Sequence, residues 1–186
     1  MLTRTQRRAQ QTRTKLLRAA LAVFGERGVD SSTIENITER ADLGKGTFYR
    51  HFQSKDDVVL ELIANSTARL VQKLRAVLAA RTSLEDVLTG LLEAHTSFFS
   101  ENREEFLLLF QGRMLLKLQR DEPIGLEQPF SDYLDELSAQ IARAAGQSVN
   151  PAKVRRVACA LAGFVSGFLS FAMIGLSDRD IAVGLE

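Results

Sequence analysis

Lys45, Thr47, Tyr49, Arg50 and His51 crowd into one short stretch, and each side chain can hydrogen-bond or bring positive charge. Phe48 and Phe52 stand between and after them, one helical turn apart, so a helix here buries both rings and turns the polar set outward. Such a set suits non-covalent recognition of a polyanion, with cations for phosphates and hydroxyl or amine groups for base edges. Covalent chemistry lacks its parts. There is no Gly-rich phosphate loop, no Gly-x-Ser-x-Gly and no His-Glu-x-x-His, and the two histidines, His51 and His95, fall in separate helices. No enzyme is expected. The single cysteine, Cys159, permits neither an internal disulfide nor a cysteine zinc cluster. That fits a reducing cytoplasm, and neither a metal nor a cofactor is called for.

The outward set needs an element to present it. Residues 28–55 read GVDSSTIENITERADLGKGTFYRHFQSK. They divide into a short helix at about 32–40, capped by Ser31 or Ser32 and buried through Ile34, Ile37 and Ala41, a turn, and a second short helix at about 44–51. Two short helices across a tight turn make a helix-turn-helix, in which the second helix reaches the major groove while the first braces the backbone. A preceding helix at about 11–27 carries Leu17, Ala20, Leu21 and Phe24 at helical spacing and stops at Gly28. Charge agrees with a DNA-facing end. Residues 1–52 hold ten Lys or Arg against five acids, and the rest holds fourteen against eighteen, although the net charge is only +1.

This segment resembles the DNA-binding domain of the TetR family of transcriptional regulators. The matching places are Thr33, Ile34, Ile37, Thr38, Lys45-Gly46-Thr47, Phe48, Tyr49, His51-Phe52 and Ser54-Lys55. The resemblance implies that Lys45, Gly46 and Thr47 approach the bases, while Tyr49, His51, Lys55 and Thr33 hold phosphates. The alternative for Tyr49 and His51 is packing on the first helix. Asp42 stands where the family has a turn glycine, and aspartate tolerates the left-handed conformation better than most residues. Gly44 replaces a Ser or Thr cap. Glu35, where a basic or polar residue is frequent, lies near DNA, where it accepts from a cytosine amine or excludes wrong sequences.

The remainder reads as helices, giving an all-α fold. An N-terminal three-helix helix-turn-helix domain, residues 1–53, joins through a long helix to a C-terminal helical bundle that dimerises, residues 54–186. The long helix opens at Ser54 and runs to about 80. Further helices are expected at about 83–100, 103–119, 129–145 and from Pro151 to about 175, with a loop at 120–128 and the start of another helix at 178–186.

Residues 157–176 hold no charge. They suit a dimer helix, and the resemblance implies a four-helix interface, here Ala160, Gly163, Phe164, Gly167, Phe168 and Phe171. The same stretch is long enough to span a bilayer, so a membrane-anchored regulator is the alternative. The resemblance also implies a cavity for a small-molecule effector, walled by Phe98, Phe99, Phe106, Leu109, Phe110, Arg113 and Met114. The many phenylalanines point to an apolar or aromatic effector, and Arg113 meets an anionic head group or pairs with a neighbour. His95 is expected to be structural. The implied function is a cytoplasmic, ligand-responsive repressor that binds a palindromic double-stranded DNA operator as a homodimer and is released by its effector.

Overall fold

A computed structural model describes residues 3–118, 127–146 and 149–176, with backbone alone at 111, 113–118 and 173. Among the described residues there are eight helices and no strand: α1 (Arg4–Arg27), α2 (Ile34–Arg40), α3 (Lys45–Tyr49), α4 (Lys55–Leu78), α5 (Leu84–Glu101), α6 (Arg103–Leu118), α7 (Glu127–Ala145) and α8 (Pro151–Gly175). The expected helix at 178–186 and most of the expected loop at 120–128 lie outside the described residues.

The helix ends follow local chemistry. α1 starts at Arg4, more than three turns before Leu16, the first buried residue of its apolar face, because Thr3 and Gln6 form a reciprocal cap. Residues 4–11 are all exposed, so apolar spacing alone could not reveal that extension. Gly28 ends α1 at φ 79°, donating its N–H to the Phe24 carbonyl. The cap of α2 is Thr33 with Asn36, and not Ser31 or Ser32. Ser32 is buried instead, its hydroxyl donating to the Gly28 carbonyl at 2.6 Å. Asp42 takes the left-handed conformation at φ 48°, as its place in the turn requires. α4 is opened by Ser54, whose Oγ accepts from the Asp57 N–H, while the Asp57 carboxylate accepts from the Gln53 and Ser54 amides. Ser83 caps α5, Gly146 follows α7 at φ 86°, and Asn150 with Pro151 opens α8.

The chain forms two compact units, residues 1–65 with 107–126, and 66–106 with 127–186. The first turns of α4 belong with the helix-turn-helix because Val58, Val59, Leu62 and Ile63 are buried there, and a helix contributes whichever turns carry its apolar stripe. In the first unit α1 packs on α2 and α2 on α3. Leu16, Phe24, Ile37 and Phe48 are fully buried in it, each burial contributing about 1.5–3 kcal/mol.

In the second unit α7 packs on α8, and α5 packs on both. One of its cores gathers Phe99 of α5, Phe106 of α6 and Val165, Leu169 and Ala172 of α8. A buried polar pair lies in the same unit. The His95 imidazole faces the Leu91 carbonyl through Nδ1 and the Tyr133 hydroxyl through Nε2, both at 2.6 Å. A carbonyl only accepts, so Nδ1–H donates to it, and Nε2 is left to accept from the Tyr133 O–H. Burial pushes the His95 pKa down to about 4, against a smaller opposing effect of the Leu91 bond.

A depressed histidine pKa means that the unfolded chain takes up the proton first. Stability is therefore full above the ordinary value of 6.5 and declines as pH falls through the window down to about 4. The loss across that window is about 3 kcal/mol. Urea unfolding at pH 7 and pH 4 should show a larger drop for the native chain than for His95→Gln; equal drops would remove His95 from the account.

Candidate nucleic-acid interface

α3 is five residues long and cannot hold itself together by hydrogen bonds alone. Its backbone is tied at both ends, Thr47 N–H to the Gly44 carbonyl at 2.8 Å and Phe52 N–H to the Phe48 carbonyl at 3.0 Å. Its position comes from Phe48, fully buried, and Phe52, nearly so, with ring centroids 5.6 Å apart. The opposite side is free. Lys45, Gly46, Tyr49 and Arg50 are exposed, Thr47 and His51 half-buried. Tyr49 keeps 57% of its surface open while its ring meets Phe48 edge to face. Arg50 donates to the Thr47 hydroxyl at 3.0 Å, which holds the guanidinium over the same surface.

A side chain added at Gly46 would meet nothing within 4 Å, so the protein's own packing does not demand glycine there. The bare backbone leaves room for something outside the chain. Thr33 is exposed at the start of α2, its Oγ1 occupied by the Asn36 amide. Glu35, on the first turn of α2, forms an ion pair with Lys45.

Two residues of the implied set, Lys55 and His51, also make contacts within the chain. Lys55 turns inward, donating to the Val29 carbonyl at 2.7 Å and the Ser32 carbonyl at 2.9 Å. Its ammonium holds the loop before α2 to the start of α4, using two of its three N–H donors. His51 lies beside α1, its carbonyl accepting from Arg13 at 2.6 Å. Burial, then Arg13, then Arg50, hold its imidazole below the usual pKa, so it is neutral at pH 7 and offers a hydrogen bond, not a charge.

Arg13 is the residue that sequence reading missed. Its guanidinium donates to the His51 carbonyl, forms a paired contact with Glu61 of α4 and lies 4.2 Å from the Phe52 ring centroid. One side chain thus joins α1, the end of α3 and the start of α4. Those partners are 38 and 48 residues away, and Arg13 reads in sequence as one more cation of a basic helix.

The expected effector residues divide. Phe98 is buried, and Phe99 and Phe106 meet edge to face at 5.0 Å within the second unit's core. Leu109 is buried and Phe110 half-buried in the first unit. The side chains of Arg113 and Met114 lie outside the described residues. On α8, Val154, Ala158, Ala162, Val165, Leu169 and Ala172 are buried. Ala160, Gly163, Phe164 and Phe171 are exposed, Gly167 is half-buried, and Phe168 packs against its own core while stacking on Phe164.

Three helices that tether a short outward helix, its cations and hydroxyls facing away from the core, define a helix-turn-helix DNA-binding protein of the all-α class. The family model of bacterial regulatory proteins of the tetR family matches residues 16–62. The chain is 31% identical over 134 residues to the HTH-type transcriptional regulator TtgW of Pseudomonas putida, covering 72% of this chain and 99% of that protein. The chain belongs to the TetR family of DNA-binding transcriptional regulators. In fold it is similar to the fatty acid degradation regulator FadR of Bacillus halodurans, with TM-score 0.73, 18% identity, and coverage of 94% of this chain and 92% of that one. It is likewise similar to FadR of Bacillus subtilis solved with stearoyl-CoA, with TM-score 0.71, 15% identity, and coverage of 92% and 94%. The match spans under two thirds of the length of several curated relatives, 60% in one and 64% in another.

Proposed function

We propose that this chain is a ligand-responsive repressor that binds a palindromic operator as a homodimer in the cytoplasm. The observation that carries the reading is α3, seated on Phe48 and Phe52 with Lys45, Gly46, Tyr49 and Arg50 turned to solvent. In this reading Lys45, Gly46 and Thr47 meet base edges in the major groove. Tyr49, His51, Arg50 and exposed Thr33 meet the flanking phosphates, and Lys55 holds the scaffold behind them.

The dimer follows from α8. Val157, Ala160, Gly163, Phe164, Gly167, Phe171 and Ile174 recur at helical spacing along one side, while the opposite side is buried in the chain's own core. The helix is long and apolar enough to cross a membrane by length and composition, over Pro151–Ala172. A single membrane span meets lipid around most of its circumference, whereas one side of α8, Val154, Ala158, Ala162, Val165, Leu169 and Ala172, is already buried in the chain's own core. A second copy of α8 is the partner that matches its small and aromatic residues.

Release follows from connectivity. α4 runs unbroken from Lys55 to Leu78, so an effector that favours a displaced α4 also displaces α3. Two recognition helices serve one operator only at a spacing of about 34 Å or a multiple of it. A preference of about 1–3 kcal/mol for the displaced state weakens binding about 5- to 150-fold. The phenylalanine-rich second unit suits an apolar or aromatic effector, and the B. subtilis FadR structure shows a similar fold in complex with stearoyl-CoA, a ligand with a long apolar acyl chain on a polar, anionic head.

Selection of bound sequences from random duplex DNA tests the reading. An inverted repeat is expected, with the log of affinity falling steeply against log salt as counterions are released. No enriched sequence, or a flat salt response, would overturn it.

A further inference from the structure

The first turn of α2 and the first residue of α3 are joined by a single ion pair, in which the Lys45 ammonium donates to the Glu35 carboxylate. Both side chains remain about half exposed, 54% for Lys45 and 48% for Glu35. An exposed pair of this kind adds little to stability, so the fold gives no reason for a carboxylate at this place. DNA binding gives a reason against it, because phosphates repel an anion at the reading surface. Glu35 is tolerable there only if it finds a donor.

We propose, resting on the DNA-binding reading above, that Glu35 and Lys45 act as one element reading a C·G base pair in each half-site. A carboxylate accepts and cannot donate, so in the major groove it seeks a base amine. An ammonium has three donors and no acceptor, so it seeks carbonyl oxygen and ring nitrogen. A C·G pair displays these groups side by side: the cytosine N4 amine, then the guanine O6 and N7 acceptors. Lys45 donates to O6 and N7 with two N–H bonds and keeps the third on Glu35. The second carboxylate oxygen of Glu35 accepts from N4. The ion pair stays intact, so neither charge is stranded on docking. An A·T pair fits less well, since its thymine O4 is flanked by a methyl group and the amine lies between the two acceptors. Gly46, with no side chain beside Lys45, leaves the approach open.

The test uses the half-site that the native chain selects, with each base pair changed in turn, and an unselected duplex as control. Affinities of the native chain, Glu35→Gln and Glu35→Ala are measured at one salt concentration. For the native chain, one C·G position should lose about tenfold or more on replacement by T·A. In Glu35→Ala that discrimination should shrink to about twofold at the same position only, with affinity for the unselected duplex rising because a repelling charge is gone. Glu35→Gln should shift preference there towards adenine, which glutamine reads through N6 and N7. If Glu35→Ala leaves every position's discrimination unchanged, or alters it at an A·T pair, the proposal is overturned while the DNA-binding reading stands. If the native chain selects no sequence, both fall.

Discussion

Changing Lys45 and Tyr49 together to alanine should abolish operator binding at ordinary protein concentrations while leaving the chain folded. Both side chains are exposed and neither belongs to the core that seats α3. Removing them leaves the buried Phe48 and Phe52 in place. The proposed dimer would lose each proposed contact twice, so four contacts of about 1 kcal/mol each are removed. The total of about 4 kcal/mol is close to a thousandfold in affinity. A gel-shift or fluorescence titration on the selected operator measures it, with circular dichroism as the check on folding. Binding within about threefold of the native chain would show that α3 docks in some other way.

The α8 face gives the second large effect. Phe164 and Phe171 keep 58% and 77% of their surfaces open, and Ile174 keeps 85%. Changing Phe164 and Phe171 to lysine places four positive charges across a two-fold interface while touching little of the chain's own packing, apart from the Phe164 stack on Phe168. Sedimentation should then report single protomers. A lone protomer engages one half-site, and losing the linked second contact should weaken operator binding about 100- to 10,000-fold. A double variant that sediments as a dimer would place the interface elsewhere. One that is monomeric and binds the full operator as tightly as the native chain would remove the need for a homodimer.

The two experiments separate the parts of the reading. The first alters the surface proposed to meet DNA and leaves the α8 face alone. The second alters assembly and leaves that surface alone. Arg13 acts within the first unit, as the contact between α1, the His51 carbonyl and Glu61. A change at Arg13 is expected to loosen the seat of α3 by removing its contacts to the His51 carbonyl, Glu61 and the Phe52 ring.

The helix-turn-helix was legible because its determinants are local. Phe48 and Phe52 are a turn apart, Gly28 and Asp42 carry the backbone angles that end α1 and make the turn, and Ser54, Ser83 and Asn150 cap the helices they precede. Spacing, caps and left-handed positions act over a few residues and leave their mark in sequence. Start positions were less legible where the cap lies outside the apolar stripe, as at Thr3, or where two hydroxyl residues compete, as at Ser32 and Thr33.

What sequence alone determined, then, is the set of helices and the presence of an outward polar side on α3. What the tertiary structure decided is how the charged residues are used. Lys55 and Arg13 looked like free cations, yet one lies on two carbonyls and the other under a ring and beside a carboxylate. Glu35 reads in sequence as a carboxylate near DNA, and the structure pairs it with Lys45. A long charged side chain reaches several ångströms in any direction, and no periodicity records which distant partner it meets. Only the packed chain brings those partners together.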